Sequence, residues 1–113
     1  MNDSNDQIVW QAENTHPELA ANTKQALRQV VDPELGLNII ELGLVRNLII
    51  ENDKANISMI MTTPFCPYAP ALLEMTRKKA EETIQIPTTI EMGMEMWDPS
   101  MMEEGTGADW GLF

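Results

Sequence analysis

Cys66 is the only cysteine in this chain of 113 residues, and it stands in "MTTPFCPYAP", residues 61–70. A thiolate is a soft metal ligand and a nucleophile, so the question is what favours loss of the thiol proton. The segment joins a run that reads as a strand to one that reads as a helix. The first N–H groups of a helix lack internal partners and its dipole is positive there, and both effects favour the thiolate. Thr62 and Thr63 offer hydroxyls to a sulfur or a ligand, while Pro64 and Pro67 stiffen the turn. The competing use of a lone cysteine is as a small buried hydrophobe. One thiol by itself is neither a structural zinc site nor an iron–sulfur site, since both take several ligands.

Two further sets of side chains could do chemistry. Asp32 and Glu34 flank Pro33, which holds the two carboxylates in an extended bend. They could supply hard oxygen ligands or poise a nearby thiol, and they could equally be the polar residues of a helix-ending turn. Met92, Met94, Met96, Met101 and Met102 cluster late in the chain. Thioethers bind Cu(I), but Ile90, Met92, Met94 and Met96 alternate as the inward side of a half-buried strand would, and core filling is the commonest use of methionine. His16 reads as an incidental surface residue. The chain contains no GxSxG, P-loop, GxGxxG or HExxH, so enzyme templates find no support and a non-enzymatic protein is expected.

The elements that must position these groups follow from periodicity. Residues 15–31 read as a helix, with Thr15 and Glu18 spaced as a capping box and Pro17 in the first turn. "DPELGLNIIELG" is a connection whose Ile39, Ile40 and Leu42 pack down on the core, with room for a short helical turn. "LVRNLIIE" and "NISMIMTT" are strands joined by a short polar turn, which predicts an antiparallel hairpin. From about Pro67 to Ile84 a second helix presents Leu72, Leu73, Thr76, Ala80, Thr83 and Ile84 on one face and pairs Glu74 with Lys78 on another. A third strand follows. The order α-β-β-α-β predicts an α+β two-layer sandwich, a three-stranded sheet with two helices on one face. Residues 1–14 read as a polar N-terminal segment, with the first seven too polar to order, and 15–113 as one domain. Residues 98–113 read as an irregular acidic tail whose Trp110, Leu112 and Phe113 fold back over apolar surface.

Net charge is −11, and after Lys79 eight acids follow with no Lys or Arg. Such a surface repels phosphate backbones and anionic lipid, so nucleic acid and membranes are excluded as partners. A basic protein surface or a metal cation suits it, and simple solubility is the plainer explanation. No apolar run approaches the roughly 20 residues that span a bilayer. The polar N-terminus is unlike a signal peptide. With one cysteine and therefore no internal disulfide, a reducing cytoplasm is expected.

Taken together, "VVDPELGLNIIELGLV" (residues 30–45), "MTTPFCP" (61–67) and the Trp-containing tail resemble the SufT/PaaD-like metal–sulfur cluster assembly factors. The resemblance runs over roughly residues 17–100. It implies a compact α+β fold similar to the C-terminal domain of NifU-type scaffolds. It also implies a role in maturing iron–sulfur proteins, with assembly machinery and client apo-proteins as partners. Carried over residue by residue, it makes Cys66 the reactive thiol or ligand of a transient iron–sulfur cluster. Thr62 and Thr63 then support the sulfur, and Asp32 and Glu34 form the acidic bend on the same surface. One thiol per chain implies that a bound cluster draws on a homodimer or on a client's own cysteines. The alternative is a protein–protein adaptor that binds no cluster and uses its acidic half as the contact surface. The acidic tail departs from the proline-rich segment and basic helix expected of relatives, which points to a different client surface.

Overall fold

The computed structural model describes residues 10–33, 35–62 and 67–102. Among them run α1 (Gln11–Thr15), α2 (Pro17–Leu27), β1 (Val45–Glu51), β2 (Lys54–Met59), α3 (Ala69–Ile84), β3 (Thr88–Met92) and a 3-10 turn (Pro99–Met101). The fold is α+β with a three-stranded mixed sheet in the order β1-β2-β3. β1 and β2 form an antiparallel hairpin, and β3 runs parallel to β2 after the crossover through α3. The hairpin turns at Asn52 and Asp53, both at positive φ (52° and 61°). That is the backbone a two-residue turn needs to match strand twist, and Asn and Asp tolerate it best after glycine.

One face of the sheet is buried through Leu48, Ile50, Ala55, Ile57, Met59 and Thr88. α1 lies against β1, α3 against β3, and α2 packs on both helices. The opposite face is polar, where Asn56 donates to Thr89 and Ser58 to Glu91 across the β2–β3 pair. The period-two pattern of β1 and β2 and the 3.6 pattern of α3 thus meet in one core. In α3, Leu72, Thr76, Ala80 and Ile84 are the buried residues. Among the described residues, no helix is long and apolar enough to cross a membrane.

Several expectations change. The domain takes in residues that the sequence reading assigned to the polar N-terminal segment, because Trp10 and Ala12 are buried and α1 packs on the sheet. Trp10 donates its indole N–H to Val45 O (3.2 Å), and Lys24 lies 5.1 Å above its ring. The expected Thr15–Glu18 capping box does not form: Thr15 ends α1, its hydroxyl bonds the His16 ring (2.9 Å), and His16 becomes the N-cap of α2. Glu13 instead accepts the Trp10 backbone N–H at 3.0 Å. α2 stops at Leu27 rather than near Val31. Ile39 N–H donates to Val30 O and Asp32 N–H to Leu37 O (2.9 Å each), so Val30 and Asp32 belong to the next turn. Glu74 pairs with Arg77 (2.8 Å), one helical step short of the expected Lys78. The first seven residues and the fold-back of Trp110, Leu112 and Phe113 lie outside the described residues.

Candidate functional site

The acidic bend is a closed turn. Asp32 donates its N–H to Leu37 O, and its own carbonyl accepts from Leu35 (3.3 Å) and Gly36 (2.8 Å). Gly36 takes the positive φ (73°) that this reversal requires. The Asp32 side chain is buried, so it is not the solvent-facing acid of an ordinary helix-ending turn. Glu34 lies outside the described residues. The bend leads into a second reversal, where Asn38 Oδ1 accepts from Ile40 N (3.0 Å) and Glu41 N (2.8 Å) while Glu41 accepts Asn38 N–H (3.1 Å). This reciprocal cap holds the "NIIELG" stretch so that Ile39, Leu42 and Leu44 point into the core. Gly43 sits at φ 75°, and a Cβ there would overlap the carbonyl oxygen of Met101. A glycine is required on both counts.

Thr63 and Cys66 also lie outside the described residues, but both ends of their segment are placed. Thr62 follows the end of β2, and α3 begins at Ala69 with Tyr68 as N-cap. α3 thus starts two residues later than the expected Pro67, and Cys66 precedes its first residue by three positions in the sequence. Pro67 and Tyr68 form a turn, and the first intrahelical bond runs from Leu72 N–H to Tyr68 O (2.9 Å). Thr62 and Ala69 both line a cavity of about 440 Å³ whose other walls include Ile60, Met61, Met94 and Trp97. Thr62 and Ala69, described residues on either side of that segment, thus share the wall of one apolar cavity. Asp32 is not among the residues that line it.

The far wall is what the sequence reading missed. β3 ends at Met92, and the chain continues without regular structure, bending at Met94, to Trp97. Three alternate residues fasten it inward. Gly93 N–H donates to Met59 O (2.8 Å), Arg46 holds Glu95 through Nε (3.0 Å) and Nη2 (3.3 Å), and Trp97 Nε1 donates to Leu42 O (2.7 Å). Arg46 is free to do this because a bulge between Val45 and Asn47 takes it out of register with β2, and its Nη1 also donates to Gly43 O (3.0 Å). With Gly93, Glu95 and Trp97 held by these bonds, the methionines beside them turn out: Met92 is 47% exposed, Met96 80% and Met94 97%. They are not the core face expected from their alternation. The signal that could have found this was Gly93, since a glycine within a strand marks a close approach of the backbone to its neighbours.

Among the described residues that line the cavity, the charged one is Glu95, paired with Arg46. Asp98 is held below the usual carboxylate range, chiefly by the Ser100 hydroxyl and also by the Ser100 N–H, with Arg46 adding to the effect. Among the described residues, no group of three or more His, Cys, Asp or Glu is placed to hold a metal ion.

The model of the iron–sulfur cluster assembly protein family matches residues 21–91. The chain belongs to that family. The match runs through Asp32, Glu34, Thr62, Thr63 and Cys66 and stops one residue short of Met92. Among relatives, the chain is 38% identical over 72 residues to the Fe-S protein maturation auxiliary factor YitW of Bacillus subtilis, covering 63% of this chain and 71% of that one. It is 31% identical over 71 residues to the Fe-S protein maturation auxiliary factor SufT of Staphylococcus aureus, covering 62% and 78%. The crystal structure of a domain of unknown function from Bacillus anthracis superposes with a TM-score of 0.77 at 24% identity, over 88% of this chain and 98% of the other. That likeness shows the fold.

Proposed function

We propose that this protein is a non-enzymatic maturation factor that assists delivery of iron–sulfur clusters to client apo-proteins, working with the assembly machinery in the cytoplasm. The observation that carries this reading is the family match over residues 21–91, which contains the cysteine segment and the acidic bend together. The cluster is cargo rather than a resident group. Cys66 is the transient ligand, with Thr62 and Thr63 as its hydrogen-bonding neighbours and Asp32 and Glu34 as the oxygen donors or proton-poising groups. A single thiol completes a cluster's ligand set only with a second chain of this protein or with the client's cysteines. The compact α+β frame, similar to NifU C-terminal domains, serves to hold one thiol segment beside one apolar cavity.

The experiment is cluster loading of client proteins in cells carrying Cys66→Ala, beside anaerobic reconstitution of both proteins with iron and sulfide. Cluster-loaded client should fall severalfold in the variant, with loss of the reconstituted absorbance. Normal loading in Cys66→Ala cells overturns the ligand role and leaves a protein–protein adaptor, a reading that the apolar-walled cavity favours.

A further inference from the structure

The strap formed by residues 92–97 displays methionines in a way that neither core packing nor the family match accounts for. Met94 and Met96 are the most exposed large apolar side chains among the described residues. They are not loose. Gly93, Glu95 and Trp97 anchor the backbone on Met59, Arg46 and Leu42. Gly93 lies so close to Ile60 that a Cβ would come to 3.0 Å of its Cγ2. A fixed backbone with mobile, unbranched thioether side chains gives a surface that conforms to varied apolar partners at little backbone cost. The methionines line the cavity of about 440 Å³ together with Met61 and Trp97, and exposed apolar surface of this kind marks an interaction site.

Charge selects the occupant. Glu91 and Asp98 flank the strap in the sequence, and Arg46, the cation beside it, is already taken by Glu95. From residue 80 onward the chain carries eight acids and no Lys or Arg. A second copy of the chain would bring the same acidity and be repelled. We infer that the strap and its cavity are a docking groove for an amphipathic, basic segment of a partner protein, its apolar residues seated among Met92, Met94 and Met96 and its Lys or Arg side chains toward the surrounding carboxylates. This rests on the reading that the protein works by contact with protein partners, and it places that contact at a cavity whose wall includes Thr62.

The test is a titration of the protein, labelled with 13C at its methionine methyl groups, with a synthetic amphipathic helix of leucine and lysine and with a twin carrying glutamate for lysine. The lysine peptide should shift the Met92, Met94 and Met96 methyls saturably and leave buried Met59 and the α3 residue Met75 unmoved. The Met94→Gln/Met96→Gln variant, altered only at exposed positions, should bind about tenfold more weakly, as expected for two lost apolar contacts. The inference is overturned if those methyls stay still, if the variant binds as tightly as the wild type, or if the glutamate twin binds equally well. It is also overturned if Cu(I) alone moves the three methyls where the peptide does not, which makes the strap a thioether metal site, or if they shift with protein concentration alone, which makes the partner a second copy. A silent titration beside Cys66-dependent cluster loading removes the groove and leaves the maturation role standing.

Discussion

β2 and the strap of residues 92–97 carry the same alternating pattern and spend it in opposite ways. In β2 the apolar residues Ala55, Ile57 and Met59 point into the core while Asn56 and Ser58 face outward. In the strap the apolar residues point out, and Gly93, Glu95 and Trp97 are the ones that engage the protein. Period two fixes only that neighbours face opposite ways. Which side turns inward depends on the partners available. β2 is the central strand, and its inner face meets the helices. The strap runs beyond the end of β3, where what it meets are the Met59 carbonyl, the Arg46 guanidinium and the Leu42 carbonyl. Polar partners and a tight gap over Ile60 take the small and polar residues, and the methionines are left to solvent.

The contrast breaks most sharply at Gly43. Its positive φ and the Met101 carbonyl packed where a Cβ would stand leave no room for a side chain. Gly43→Ala must displace the turn that follows the strap, with an expected loss of about 3 kcal/mol or more in urea-denaturation stability. The methionine methyls of the strap should shift in the same variant, since Gly43 O also fixes Arg46. A smaller effect separates the two alternations directly. Met59→Ala removes a fully buried side chain and should cost about 2–4 kcal/mol. Met94→Ala removes one that is 97% exposed and should stay within about 0.5 kcal/mol of wild type. Equal losses at the two positions would mean that the strap is core after all.

The elements whose period and partners agree were legible from the residues: the hairpin with its Asn–Asp turn, the buried face of α3, and the α+β class. The acidic bend was legible as a turn, but not the burial of Asp32, because burial comes from what packs over the loop rather than from the loop itself. Trp10 was passed over because it closes the three-residue apolar run Ile8–Val9–Trp10, which is too short to show a period. The strap was misread because its inward contacts are long-range. Arg46 and Glu95 are 49 residues apart and Trp97 and Leu42 are 55, and nothing local announces such pairs. Cys66 and Asp32 were picked out as candidates by type and by family resemblance, and the structure adds the burial of Asp32 and a cavity that Thr62 lines together with the methionines.

A last comparison sets the Arg46–Glu95 clamp against the Arg77–Glu74 pair of α3, which has similar exposure but joins residues three apart on one helix. Glu74 is held below the ordinary carboxylate range, first by its hydrogen bond from Arg77 and also by the charges of Arg77 and Lys78, while Arg77 is pushed upward in return. A carboxylate whose folded pKa is lowered stabilises the protein above its unfolded pKa, and that contribution disappears as pH falls through the folded value. The difference in urea midpoint between wild type and Glu74→Gln should therefore be greatest at neutral pH and low salt. It should shrink to nothing as the solution is acidified through and below the carboxylate range. Because both partners are exposed, it is the smallest of these effects. Glu74 bonds Arg77 within α3, and the links from Arg77 and Glu81 to Thr88 of β3 remain in the variant, so the Met94 and Met96 methyl signals should be unchanged in Glu74→Gln. Glu95→Gln should move them, since that carboxylate fastens the strap between the two methionines.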